Sequence, residues 1–93
     1  MTDEPLSPPA AKKAILAAIE RGGKIHYKHH LIEKLEERGL TTVDVVNVLR
    51  GGWVEIDGLH DGSWRHRVNT YKLRVVLEIV GPAEIVVITA MRI

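Results

Sequence analysis

The sequence predicts an α+β domain in which N-terminal helices pack on one face of a mostly antiparallel sheet of about four strands. Three observations point there. The apolar period is helical up to Gly51-Gly52 and close to two beyond it. Each helical stretch closes on glycine. The chain of 93 residues is long enough for one modest core and no more, so a single domain is expected over 1–93.

The elements follow in order. Residues 1–6 read as a disordered terminus. Ser7 can cap an extra N-terminal helix over 8–21, whose first turn tolerates Pro8 and Pro9 because those positions lack intrahelical amide partners. Ile15, Leu16 and Ile19 form its apolar stripe, and Gly22-Gly23 ends it. "KIHY", from Lys24, reads as a short strand. A second helix is expected over 28–38, stopped by Gly39. "TTVD" resembles a capping box, with Asp44 three residues after Thr41, and opens a third helix over 42–50 that carries Val45, Val46, Val48 and Leu49. "WVEI" and "WRHRV" then read as strands joined by a loop "DGLHDGS". "NT" turns into "YKLRVVLEIV", and "GPA" turns into "EIVVITAM". The sheet is therefore expected between residues 53 and 91.

Composition narrows the function classes. The formal net charge is +1, so any polyanion site must come from local clustering. There is no cysteine, which removes disulfides and thiolate metal sites. No apolar run approaches the roughly 18 residues of a membrane span. The acidic, proline-rich start "MTDEPLSPPA" does not read as a secretory signal, and a cytoplasmic protein is expected. Phenylalanine is absent, so Val, Ile and Leu must build the core.

Two basic clusters stand out. On a helix, His30, Lys34 and Arg38 are spaced four apart and form one row beside the apolar stripe of Leu31 and Leu35. A basic row at a helix–sheet border is where a cleft can form. The plain alternative is a solvated edge whose long stems cover apolar surface. In "WRHRV", Arg65 and Arg67 share one strand face, while Trp64, His66 and Val68 share the other. Two forked guanidinium groups on one face suit a phosphate. The alternative is an ordinary polar face with a half-buried histidine.

Metal chemistry has less support. His26, His29 and His30 give H-x-x-H-H, and Glu33 can join His29, but His26 precedes the helix and no complete H-E-x-x-H motif exists. No glycine-rich phosphate loop follows a strand and no serine nucleophile motif appears, so neither metal nor other cofactor is expected.

"YKHHLIEKLEERGL" resembles the signature of the bacterial and phage family called domain of unknown function 4258. That pattern has a short strand, a histidine, a basic residue four later, an arginine eight later, and Gly-Ile or Gly-Leu. These fall on His30, Lys34, Arg38, Gly39 and Leu40. The later strands, with Thr89 in the last, resemble the family's closing strands, and the resemblance spans residues 24–91. Lys34 departs from the arginine that is common there and loses forked phosphate binding.

The resemblance implies kinship with RelE-like, barnase-like and colicin-like ribonuclease folds, whose toxins cut RNA without metal and often pair with an antitoxin. It thus implies a metal-independent endoribonuclease acting through the ribose 2′-hydroxyl, with RNA and an antitoxin protein as partners. Such chemistry needs a base, an acid and cations around the phosphorane. His30 or His66 can be base or acid, and Arg38 can hold the phosphate at the centre of the site. Lys34, Arg65 and Arg67 can hold phosphate, and Thr89 or Tyr71 can donate a hydrogen bond. Two readings compete. One is a non-catalytic RNA- or protein-binding module using the same basic cleft. The other is an interaction protein whose first helix packs on a partner or a second copy. His60, between two Asp-Gly pairs, is expected in a mobile loop outside any site.

Overall fold

The computed structural model describes residues 4–93. It is α+β, with helices α1 (Pro8–Ile19), α2 (Leu31–Glu37) and α3 (Thr42–Gly51), and strands β1 (Lys24–Tyr27), β2 (Trp53–His60), β3 (Ser63–Asn69), β4 (Leu73–Gly81) and β5 (Glu84–Arg92). The strands form one five-stranded sheet in the order β1-β5-β4-β3-β2. The meander β2 to β5 is antiparallel, as the alternating pattern requires. β1 adds a fifth strand and pairs parallel to β5, so the sheet is mixed and not limited to about four strands. Strand β1 is separated from β5 by the rest of the chain, and a four-residue segment carries no signal of its partner.

α1 begins where Ser7 Oγ accepts the amide of Ala10 at 3.4 Å, and it buries Ala11, Ala14, Ile15 and Ala18. The expected disorder over 1–6 falls partly on residues 1–3, outside the described residues. Leu6 is placed by its carbonyl, which accepts from His66 Nε2 at 2.9 Å. In β1, Ile25 and Tyr27 turn to the core, while Lys24 and His26 turn away.

α2 starts three residues later than its apolar spacing suggests. The Lys28 amide is still bonded to Val87 O of β5 at 2.9 Å, which extends the β1 ladder by one residue. A turn closed by the Leu31 amide on Lys28 O then holds His30 at φ +68°. A left-handed conformation is uncommon outside glycine, though histidine is among the residues that tolerate it. The end of α2 follows the sequence: Leu40 N–H donates to Leu35 O and Gly39 N–H to Glu36 O, a Schellman closure with Gly39 at φ +70°. Leu35 and Leu40 are both buried beside it.

α3 opens on a complete capping box between Thr41 and Asp44. Its far end is closed by Lys12 of α1, whose ammonium donates to Leu49 O, Arg50 O and Gly52 O at 2.9, 2.9 and 2.8 Å. Partial burial pushes the Lys12 pKa below its ordinary value. Lys12→Met keeps the apolar stem but orphans three carbonyls at a helix C-terminus. We expect a loss of roughly 1.5–3 kcal/mol in urea unfolding; an unchanged midpoint would show that water replaces the ammonium at no cost.

"DGLHDGS" is not a loop. β2 runs through it to His60, and the hairpin turns on Asp61-Gly62 alone, both at positive φ (+48° and +80°). This is the two-residue turn that matches strand twist. The first Asp-Gly becomes a bulge instead, with the register shifting between Ile56 and Gly58. His60 is exposed next to the turn. His60→Ala should leave any RNA cleavage or binding within about two-fold of wild type, and a loss of about ten-fold, about 1.4 kcal/mol, would bring this hairpin into the site.

All three helices share one core with one sheet face: Ile15, Leu31, Leu35, Val45, Val48 and Leu49 meet Val68, Val75, Leu77, Ile85, Val87 and Ala90. The opposite face carries Glu55, Arg65, Arg67, Asn69, Arg74, Val76, Glu78 and Thr89, which register places side by side. No helix of the described residues is long and apolar enough to cross a membrane.

Candidate nucleic-acid interface

The sequence-predicted residues separate into three places. The first is the corner where α2 meets β5. β1 pairs with β5 only as far as Val87, so the second half of the β5 edge lacks a strand neighbour. Arg38, at the C-cap of α2, covers that edge: its Nη1 donates to Ala90 O at 2.7 Å and to Thr89 Oγ1 at 3.3 Å. Arg92 returns the contact, its Nη2 donating to Arg38 O at 3.2 Å. Arg38 and Thr89, 51 residues apart in the chain, are thus brought together. A bulge makes this possible: Thr89 lies opposite Val76 and Val87 opposite Leu77, which leaves Ile88 extra and Thr89 on the open face.

Lys34 lies one turn back along α2 and is exposed. His30 stands at the start of the helix, its Nδ1 3.3 Å from Glu33 Oε2, with the side chain 59% exposed. The neighbouring His29 ring is 3.8 Å from it, centroid to centroid. The corner therefore holds the Lys34 ammonium and a guanidinium whose orientation is fixed by β5, while the solvent-facing His29 and His30 stand at the other end of α2, about 12 Å along its axis, and the left-handed His30 does not extend the Lys34–Arg38 row as expected. Arg38 makes no ion pair among the described residues, and its Nε and Nη2 groups make no hydrogen bond there.

The second place is the open face of β3, where Arg65 and Arg67 share a side as strand geometry requires. Both meet carboxylates. Arg67 Nε reaches Glu55 Oε1 and its Nη1 reaches Asp57 Oδ1, each at 3.2 Å. The hydrogen bond to Glu55 is the main cause that raises the Arg67 pKa, with burial opposing it. Arg65 Nε lies 3.4 Å from Glu78 Oε2. Two charges against one at Arg67 make that spot net acidic, so it does not present a bare cation to phosphate.

The third place is His66. It lies on the other face of β3 and is 2% exposed, not half-buried. Its Nε2 must carry the proton it donates to Leu6 O, and Nδ1 has no partner among the described residues. Residues Glu4, Pro5 and Leu6, together with Trp64, cover it in a cavity of about 270 Å³. The sheet itself thereby separates His66 from Arg65 and Arg67.

Sequence reading missed Arg74 and Trp53, and it weighed Tyr71 only as a donor. These sit on the open face at the end of β2 and β4, where Trp53 is opposite Asn69 and Asn69 opposite Arg74. Trp53 is far in the chain from Tyr71 and Arg74, and the three give no pattern until the strands are in register. Among the described residues no three His, Asp or Glu side chains gather as a metal ion needs. No protein-family model, curated protein or solved structure matches the chain significantly.

Proposed function

We propose that the chain is a metal-independent RNA-cleaving domain of the RelE-like toxin type, acting on a phosphodiester at the corner of α2 and β5. The observation that carries this reading is Arg38. Its Nη1 is held by Thr89 and Ala90, which leaves a preorganised pair of donors, Nε and Nη2, with Lys34 one turn away and the solvent-facing His29 and His30 at the start of the same helix. In the reaction, one imidazole takes the 2′-hydroxyl proton and the 2′-oxygen attacks phosphorus. The P–O5′ bond breaks, the second imidazole protonates the leaving 5′-oxygen, and a 2′,3′-cyclic phosphate remains. Arg38 and Lys34 neutralise the charge that develops on the phosphorane oxygens. On this reading His29 and His30 divide the proton transfers. His66 is a structural residue under the N-terminal segment, and Arg65 and Arg67 hold the open sheet face together. An antitoxin would silence the domain by covering this corner.

The exposure of both imidazoles favours a second reading, an RNA-binding module without cleavage. The test uses mixed-sequence single-stranded RNA in excess chelator, with and without ribosomes, and scores both binding and cyclic-phosphate ends. Cyclic ends support the enzyme. Binding without cutting supports the module, and the absence of both binding and cutting overturns both readings.

A further inference from the structure

We infer that the cavity between Trp53, Tyr71 and Arg74 is a base-stacking subsite for single-stranded RNA. The inference rests on the RNA reading above and adds the direction in which the strand crosses the sheet. The cavity measures about 360 Å³ and opens on the helix-free face. The chain has only four aromatic side chains of the Phe, Trp and Tyr types, and two of them stand here. Trp53 is 48% and Tyr71 93% exposed, with ring centroids 5.6 Å apart in an edge-to-face arrangement. Packing does not account for a tyrosine left almost wholly in water, whereas an exposed ring with an open face is a surface on which any base can stack.

Arg74 supplies the charge. It makes no ion pair among the described residues, in contrast to Arg65 and Arg67 on the same face. Its Nε donates to Asn69 Oδ1 at 2.7 Å, and buried Asn69 in turn donates to Glu55. This chain of bonds satisfies the polar groups beneath the cavity and fixes the guanidinium above them. Register relates the subsite to Arg38. Thr89 lies opposite Val76, and Arg74 lies two residues from Val76 on the same face. Asn69 and Trp53 continue the Arg74 row onto β3 and β2. From β5 to β2 is three strand spacings, about 14 Å. A strand held at Arg38 therefore meets a second cation at Arg74 and then two aromatic rings, the alternation that suits a sugar-phosphate chain with splayed bases.

The experiment uses the full chain carrying Trp64→Phe, so that Trp53 alone reports fluorescence. It is titrated with an oligoadenylate and with an abasic ribose-phosphate oligomer of the same length, each dye-labelled at one end so that anisotropy gives the affinity while Trp53 emission reports stacking. The oligoadenylate should quench Trp53 and the abasic oligomer should not. Tyr71→Ala should weaken oligoadenylate binding by about five- to a hundred-fold, the range for losing a base stack. It should leave the abasic oligomer's affinity unchanged, whereas Arg38→Ala should weaken both. If Tyr71→Ala and Trp53→Leu bind both oligomers like the parent and no quenching occurs, the subsite is overturned while the Arg38 corner stands. If neither oligomer binds the parent, the RNA reading fails and the subsite fails with it.

Discussion

On the RNA-cleaving reading proposed above, Arg38→Ala is expected to lower the rate of cleavage by roughly 100- to 1000-fold, the usual cost of removing one electrostatic group aimed at developing charge. The same change removes two hydrogen bonds to the β5 edge, so a structural loss must be told apart from a chemical one. The bond to Ala90 O is made by a charged donor at a part-buried carbonyl, and its loss should cost on the order of 1–2 kcal/mol. That lowers the thermal midpoint by about 4–16 °C in a domain of this size. Arg38→Lys separates the two roles. A lysine keeps one donor for the edge carbonyl and keeps the charge, but it lacks the fork. It should recover most of the stability and little of the cleavage. Thr89→Val extends the argument: it removes the hydroxyl that accepts from Nη1 and should shift cleavage by less than Arg38→Ala does. If Arg38→Lys restores both stability and rate, Arg38 is an edge clamp and the phosphate lies elsewhere.

What the sequence made legible, and what it did not, has physical reasons that differ by element. Helix ends were readable because caps are local: Ser7, the Thr41–Asp44 box and the Gly39 closure each act within a few residues of themselves. The start of α2 was not, because the bond that delays it comes from Val87, far along the chain. The two Asp-Gly pairs of "DGLHDGS" look alike as letters, and only cross-strand pairing decides that the second turns the chain and the first becomes a bulge. The site divides in the same way. The helical spacing of Lys34 and Arg38 and the shared face of Arg65 and Arg67 follow from periodicity alone. Their partners do not. Glu55, Asp57 and Glu78 neutralise the β3 arginines across strand pairs, and Thr89 reaches Arg38 only through the bulge at Ile88. Arg74 escaped notice because its value depends on making no ion pair although Glu55 lines the same cavity, a property of register and not of sequence.

A large stability effect is expected at Gly52, and its neighbour Gly51 provides the control. Gly52 is the C-cap of α3 at φ −82°, a conformation open to any residue, so backbone preference does not require glycine there. Space does. A Cβ at Gly52 would stand 2.5 Å from Asn69 O, 2.7 Å from Val68 Cγ1 and 2.8 Å from Val48 O. Two of these atoms are backbone carbonyls, one at the end of α3 and one at the end of β3, so no side-chain rotation relieves the contact. Moving them apart separates the helix from the sheet at buried Val48 and Val68, and it shifts the Gly52 carbonyl away from the Lys12 ammonium that closes α3. Gly52→Ala should therefore cost about 3 kcal/mol or more, at the upper end of overpacking effects, and lower the thermal midpoint by roughly 12 °C or more. Gly51 meets nothing within 4 Å of a built Cβ and lies in the last turn of α3. Gly51→Ala should be neutral or stabilising by about 0.5–1 kcal/mol, because alanine loses less backbone freedom on entering a helix. Thermal unfolding followed by circular dichroism decides the matter. Equal midpoints for the two variants would mean that α3 and β3 do not approach each other at Gly52 as described.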